Sequence, residues 1–233
     1  MQFKNSSSTA ILFFSRSAEE EARVKHFIVG DTAASQQVAN CMINHSLAII
    51  RKTGLPYYII NSEYQKGENF GERYSNAFAD IFNLGFQKII SIGNDCASLS
   101  HNDIINASAQ LNNYDFVTGP DQKGGLYLIA MHRKDFNKKR FALLPWGTGN
   151  LAEVITRFCN LNGLSLFKTT IKRDIHTRGD LALLLNSQTF LFRLKQLAGN
   201  LLNRYQNAIF KNGIHFISAL LPTSISLKSP PAL

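Results

Sequence analysis

Cysteine is scarce in this chain of 233 residues: there are three, Cys41, Cys96 and Cys159. They lie far apart and form no C-x-x-C pair. Neither a disulfide framework nor a cysteine zinc cluster is expected, and a reducing cytoplasm is the default setting. Long apolar runs are missing too, since none reaches the roughly 18–20 residues that span a bilayer. Near the start, the apolar run Ala10 to Phe14 is too short for the core of a secretory leader. The glycine signatures G-x-G-x-x-G and G-x-x-x-x-G-K-[ST] do not occur, which counts against dinucleotide oxidoreductases and P-loop ATPases. No G-x-S-x-G nucleophile elbow is present either.

Acidic residues are also in short supply. There are 16 Asp and Glu against 25 Lys and Arg, a formal net charge of +9. Residues 187–233 hold Arg193, Lys195, Arg204, Lys211 and Lys228 and no Asp or Glu, so the body of the chain is only mildly basic. That body shows no stripe of cations interleaved with aromatics. A solvated basic surface is therefore expected rather than a nucleic-acid partner.

What the chain does have is alternation of strand and helix patterns over its first 185 residues. Thr9 to Ser15 is an apolar run of strand length, and the charged segment Arg16 to Lys25 follows as a loop or helix start. Asp31 is placed to cap a helix with Val38, Met42 and Ile49 on one face, and Gly54-Leu55-Pro56 stops it. Tyr57 to Ile60 reads as a strand, Glu72 to Leu84 as a helix, and Lys88 to Ile92 as a buried strand. Ser100 and Asp103 form a capping-box signature. Phe116 to Thr118 and Leu126 to Met131 read as strands around a Gly124-Gly125 turn. Thr148 opens a helix to Leu161, Leu164 to Lys168 is a strand, and a last helix begins near Thr177. Repeated β-α-β order predicts a mainly parallel sheet covered by helices on both faces.

Residues 187–233 have a different texture. Phe190, Leu194, Leu197, Leu201 and Tyr205 share one helical face, opposite Arg193, Gln196, Asn200 and Asn203. The expectation is a domain over residues 1–186 and a basic amphipathic appendage over 187–233. The appendage would pack on the domain or on a second copy as a homodimer; attachment to an anionic membrane surface is the minor reading.

Asp95 stands at the carboxyl end of the 88–92 strand, where open α/β sheets place ligand chemistry because loops and helix N-termini converge there. Hard divalent cations take oxygen ligands, so Asp95 is a candidate ligand; a helix-capping or turn role is the alternative. Cys96 reads as a small core residue, and His45 as a satisfied boundary side chain.

Five short motifs occur in order: Gly71-Glu72-Arg73, Gly93-Asn94-Asp95-Cys96, Gly119-Pro120 with Gly124-Gly125, Pro145-Trp146-Gly147-Thr148, and Asp174-Ile175-His176-Thr177. Over about residues 9–186 this pattern resembles a family of small bacterial GT-A-type proteins. That family is described as glycosyltransferase-like and is related to the guanylyltransferase of deazaflavin-cofactor biosynthesis. The resemblance implies an α/β, GT-A-like nucleotide-diphospho-sugar transferase fold with the nucleotide across the carboxyl ends of the strands. It implies a nucleotide-dependent glycosyl or nucleotidyl transferase, a nucleotide or nucleotide-sugar partner, and a divalent cation, Mg or Mn. Asp95 would hold the cation with His176 as a second ligand, and Lys25 and Lys123 would meet phosphate. Arg16, Gly71, Arg73, Gly124 and Gly125 would line the nucleotide, and Trp146 and Thr148 the acceptor pocket.

The departures from the family pattern point to a divergent site. The first loop, similar to K-A-P-x-P-G-x-V-K-T-R-L, loses its prolines and glycine and carries Glu19-Glu20-Glu21 where a polyphosphate is expected; like charges oppose one another at close range. His26 and Phe27 replace Thr and Arg. The usual D-G-G becomes Lys123-Gly124-Gly125, although Asp121 could restore an acid, and D-x-D-T becomes Asp174-Ile175-His176-Thr177. Either Lys123 neutralises diphosphate in place of a metal, or the site has kept binding and lost catalysis, leaving an inactive binding or scaffold protein.

Overall fold

The computed structural model describes residues 8–25 and 27–185; the appendage expected over 187–233, the homodimer expected through it, and His26 lie outside the described residues. The chain runs β1 (Thr9–Phe14), α1 (Ala18–Lys25), α2 (Thr32–Lys52), β2 (Tyr57–Ile60), α3 (Phe70–Asn83), β3 (Lys88–Ile92) and α4 (His101–Gln110). It continues as β4 (Phe116–Pro120), β5 (Leu126–His132), α5 (Lys138–Ala142), α6 (Leu151–Leu161), β6 (Leu166–Lys168) and α7 (Arg178–Leu185).

The strands form one six-stranded sheet in the order β2-β1-β3-β5-β4-β6. Pairing is parallel except at β5, which runs antiparallel to both β3 and β4. Five strands therefore deliver their carboxyl ends to one edge, and β5 begins there.

Side chains on β1 alternate across the sheet with the two-residue period of a strand. Ala10, Leu12 and Phe14 join a core with Phe78, Phe141 and Ile155 on one face. Ile11 and Phe13 join Ile50, Ile104 and Leu111 on the other. All six residues of β1 are buried, which is why the strand reads as continuously apolar rather than alternating.

The helices start where short polar side chains can satisfy free amides. Asp31 accepts from Ala34 N, and Ser100 with Asp103 completes the capping box. Thr148 does not open α6: its hydroxyl donates to Pro145 O at 2.6 Å within the preceding turn, and α6 begins three residues later. The short α5 escapes the periodicity reading because only Phe141 of it is buried. It lies along α3 and closes an aromatic cluster in which Phe141 meets Phe78 at 4.8 Å and Trp146 at 4.9 Å, ring centre to ring centre. No helix among the described residues is long and apolar enough to cross a membrane.

Candidate active site

A cavity of about 670 Å³ opens at the strand edge, walled by the ends of β1, β3 and β4, the start of β5 and the segment after β6. Four backbone bonds carry that last segment past the strand ends: Thr169 N to Thr118 O (2.8 Å), Lys172 N to Pro120 O (3.2 Å), Gln122 N to Lys172 O (3.0 Å) and Ile175 N to Asp95 O (2.9 Å). Asp174 and His176 thereby reach the mouth of β3, although they are distant from Asp95 in the chain.

Lys25 is the buried cation of the site, with a side chain only 6 % exposed. One helical turn back, Glu21 Oε1 lies 3.4 Å from its ammonium, and Asp95 Oδ1 forms the closer ion pair. The ammonium also donates to Ile175 O at 3.4 Å. Arg16 Nη1 reaches the other oxygen of Glu21, also at 3.4 Å. The glutamate run is thus split by helix geometry. Glu19 pairs with Arg23 and Glu20 accepts from Ser62 at the surface, and only Glu21 is buried in the cavity wall.

On the opposite wall, Asp121 closes the β4–β5 hairpin. Its Oδ1 accepts from Lys123 N (2.6 Å) and Gly125 N (2.9 Å). A Cβ on Gly125 would fall 2.5 Å from Asp121 Oδ2, and one on Gly124, at φ +84, would fall 1.9 Å from Gly149 O. The glycine pair therefore serves the turn and its packing, and Gly125 also lines the cavity. Gly71 has a similar explanation: a Cβ there would sit 2.0 Å from Ala142 O, so it permits α3 and α5 to approach.

Asp174 is 6 % exposed, and its Oδ1 has no hydrogen-bond partner. Burial first, then the neighbouring charges of Asp95 and Asp121, push its pKa up to about 8. His176 is half-exposed, with Nδ1 3.8 Å from Asp95 Oδ2. Burial lowers its pKa despite that carboxylate. Asp121, Asp174 and His176 each present a ligand atom within 4.8 Å of the other two.

Lys123 lines the cavity and is engaged there by a carboxylate. Its ammonium lies 3.0 Å from Asp180 Oδ2, and that carboxylate also accepts from His176 N, Thr177 N and Thr177 Oγ1. Burial disfavours the Asp180 charge, but these donors prevail and hold its pKa at about 2. Trp146 lines the cavity with its indole N–H donating to Phe141 O at 2.8 Å. Arg73 lines it too and donates to Glu68 O at 3.2 Å. Cys96 is buried, and desolvation pushes its thiol up to about 12, as befits a core residue. His45 is satisfied by Ala97 O at 3.2 Å.

Of the residues singled out from sequence, the structure brings Asp95, Lys25, His176, Arg16, Arg73, Lys123, Gly125, Trp146 and Thr148 to one cavity. Glu21, which its sequence context marks only as a repulsive charge, is the second partner of Lys25. Asp121 and Asp174 sit inside motifs, but their convergence depends on the strand-end crossing of the 169–177 segment.

Against solved structures, this geometry aligns with a protein from Desulfovibrio desulfuricans G20, whose name gives a provisional assignment as a nucleotide-diphospho-sugar transferase. The TM-score is 0.75 at 20 % identity, over 88 % of this chain and 98 % of that one. The fold is that of the nucleotide-diphospho-sugar transferases. The GT-A-like resemblance carried by the motifs is thus borne out at the level of the fold. A family model described as "Uncharacterized protein conserved in bacteria (DUF2064)" matches residues 53–148, from the end of α2 to the turn before α6. Rv0371c from Mycobacterium tuberculosis H37Rv aligns at TM-score 0.46 and 9 % identity, over 78 % of this chain and 98 % of that one. A CMP:2-keto-3-deoxy-manno-octonic acid synthetase complexed with CTP aligns at 0.44 and 11 %, over 76 % and 97 %. Both are too distant to add to the GT-A-like assignment. No curated protein matches the sequence.

Proposed function

We propose that the chain is a nucleotide-dependent transferase, glycosyl or nucleotidyl, whose donor is a nucleotide-sugar or a nucleoside triphosphate. The observation that carries this reading is the set of Asp95, Asp121, Asp174 and His176 around the buried Lys25, inside a cavity large enough for a nucleotide on this fold.

The residues fit a divalent cation. Asp174 keeps an oxygen buried without a donor, an arrangement that costs free energy unless a cation or proton accompanies it. Asp121, Asp174 and His176 would hold the ion, with Asp95 beside them. A bound divalent cation would supply charge to offset a diphosphate.

The chain's own groups account for the remaining work. Lys25, a point charge at the end of α1, meets phosphate when its pair with Asp95 loosens. Arg16 and Arg73 add cationic edges, and Trp146 walls the acceptor side. In the glycosyl version an acceptor hydroxyl attacks the sugar carbon and nucleoside diphosphate leaves. In the nucleotidyl version an acceptor phosphate attacks the α-phosphorus and pyrophosphate leaves. Positioning and charge stabilisation carry either reaction. The Lys25–Asp95 pair also favours a second reading, a binding protein without turnover, because the two groups already satisfy each other.

A thermal-shift panel of nucleotides and nucleotide-sugars, with and without Mg or Mn, separates these readings from no binding at all. A ligand at 100-fold its Kd adds about 2.7 kcal/mol, a rise of roughly 5–11 °C for a chain of this size. A flat panel overturns the proposal for those donors. A shift without product from any acceptor selects the binding reading.

A further inference from the structure

The side chains of the metal-fitting trio differ in what they can bind. Asp121 is fixed by its own turn, with two backbone amides on Oδ1. Asp174 is more than nine-tenths buried and has its Oδ1 unpartnered within the cluster. His176 is held at its backbone by Asp180, which accepts its amide at 3.1 Å. Asp95 is engaged by Lys25. The donors offered to an incoming ion are therefore two carboxylates and one imidazole.

We propose that Asp121, Asp174 and His176 form a seat selective for a borderline transition-metal dication, of the cobalt or zinc class, over magnesium. Imidazole nitrogen suits the transition ions, whereas Mg²⁺ prefers an all-oxygen octahedron and surrenders its waters reluctantly. A carboxylate at position 176 would give an all-oxygen set; the imidazole removes one negative charge and adds one nitrogen. The consequence is a site whose cation is chosen by a single side chain while Lys25 keeps Asp95 out of the competition. The inference deepens the transferase reading, since the same cavity would take the donor, but it can be tested with metal alone.

The test uses the full chain without nucleotide. Mn²⁺ bound to the native protein should show nitrogen modulation in pulsed EPR, and the modulation should vanish in both His176→Asp and His176→Gln. By calorimetry, the ratio of Zn²⁺ to Mg²⁺ affinity should fall at least about tenfold in His176→Asp. Asp174→Asn should lose most of the binding of either ion. Absence of nitrogen coupling, an unchanged ratio in His176→Asp, or no ion bound at all would each overturn the assignment. If metal alone fails while a nucleotide still shifts the melting curve, the transferase reading stands and the seat is wrong. Nitrogen-coupled Mn²⁺ with a flat nucleotide panel supports the seat and removes the transferase reading for those donors.

Discussion

Substituting Gly71→Ala separates a packing role for this residue from contact with a nucleotide. The new methyl would lie 2.0 Å from Ala142 O, 3.0 Å from Ala142 C and 3.1 Å from Trp146 Cδ1. Two of those three atoms are backbone, so α3 and α5 must move apart by more than an ångström. Overpacking of that kind costs about 3 kcal/mol. Alanine recovers at most about 1 kcal/mol over glycine inside a helix. The net loss is about 2–3 kcal/mol, a melting decrease of roughly 4–12 °C for a domain of this length.

Trp146 is the sole tryptophan and touches the affected contact, so its emission follows both unfolding and any native-state shift of the indole. A variant that melts within about 2 °C of the parent with unchanged emission would refute the packing argument. Were such a variant also to lose its nucleotide-induced shift, Gly71 would belong to the ligand after all, as the family resemblance implies.

Two further outcomes follow from the buried charges. Asp174 is held near pKa 8 in the fold against an ordinary 3.8. Its contribution is therefore full below about pH 4 and is lost as pH rises to about 8. In chelator-treated protein, urea midpoints of the parent and Asp174→Asn should diverge over that window, the parent losing at most about 1.4 kcal/mol per pH unit relative to the variant; a constant difference contradicts the assignment. Lys25→Met strands Glu21 and Asp95. Breaking a buried pair costs about 3–5 kcal/mol, reduced here to about 2–3 because Arg16 still faces Glu21 and Asp95 is partly solvated. Equal urea midpoints would mean that the ammonium does not hold the two acids.

Much of the fold is legible in the sequence because local chemistry and tertiary placement agree. Asp31 and Ser100 with Asp103 cap the helices their positions announce, and Lys88 to Ile92 is buried as its composition demands. The Gly124-Gly125 turn signals a hairpin and so an antiparallel β5, but nothing local to it records that β5 inserts between β3 and β4. In the site, Asp95 is readable because one strand places it. The helical split of Glu19, Glu20 and Glu21 follows from a 3.6-residue period, which a loop-or-helix reading of that segment leaves open. The meeting of Asp121, Asp174 and His176 depends on hydrogen bonds between backbones distant in the chain, and no side-chain pattern records those.

The 169–177 segment is pinned across the strand ends by backbone bonds and by the side chains of Thr169, Lys172, Arg173 and Ile175, whereas His176 gives that frame its amide, which donates to Asp180. Position 176 can therefore drift in evolution without disturbing the frame that aims it. Lineages sharing this architecture could exchange one inorganic requirement for another by a single codon change. Their dependence on environmental metal supply would then evolve separately from their shape.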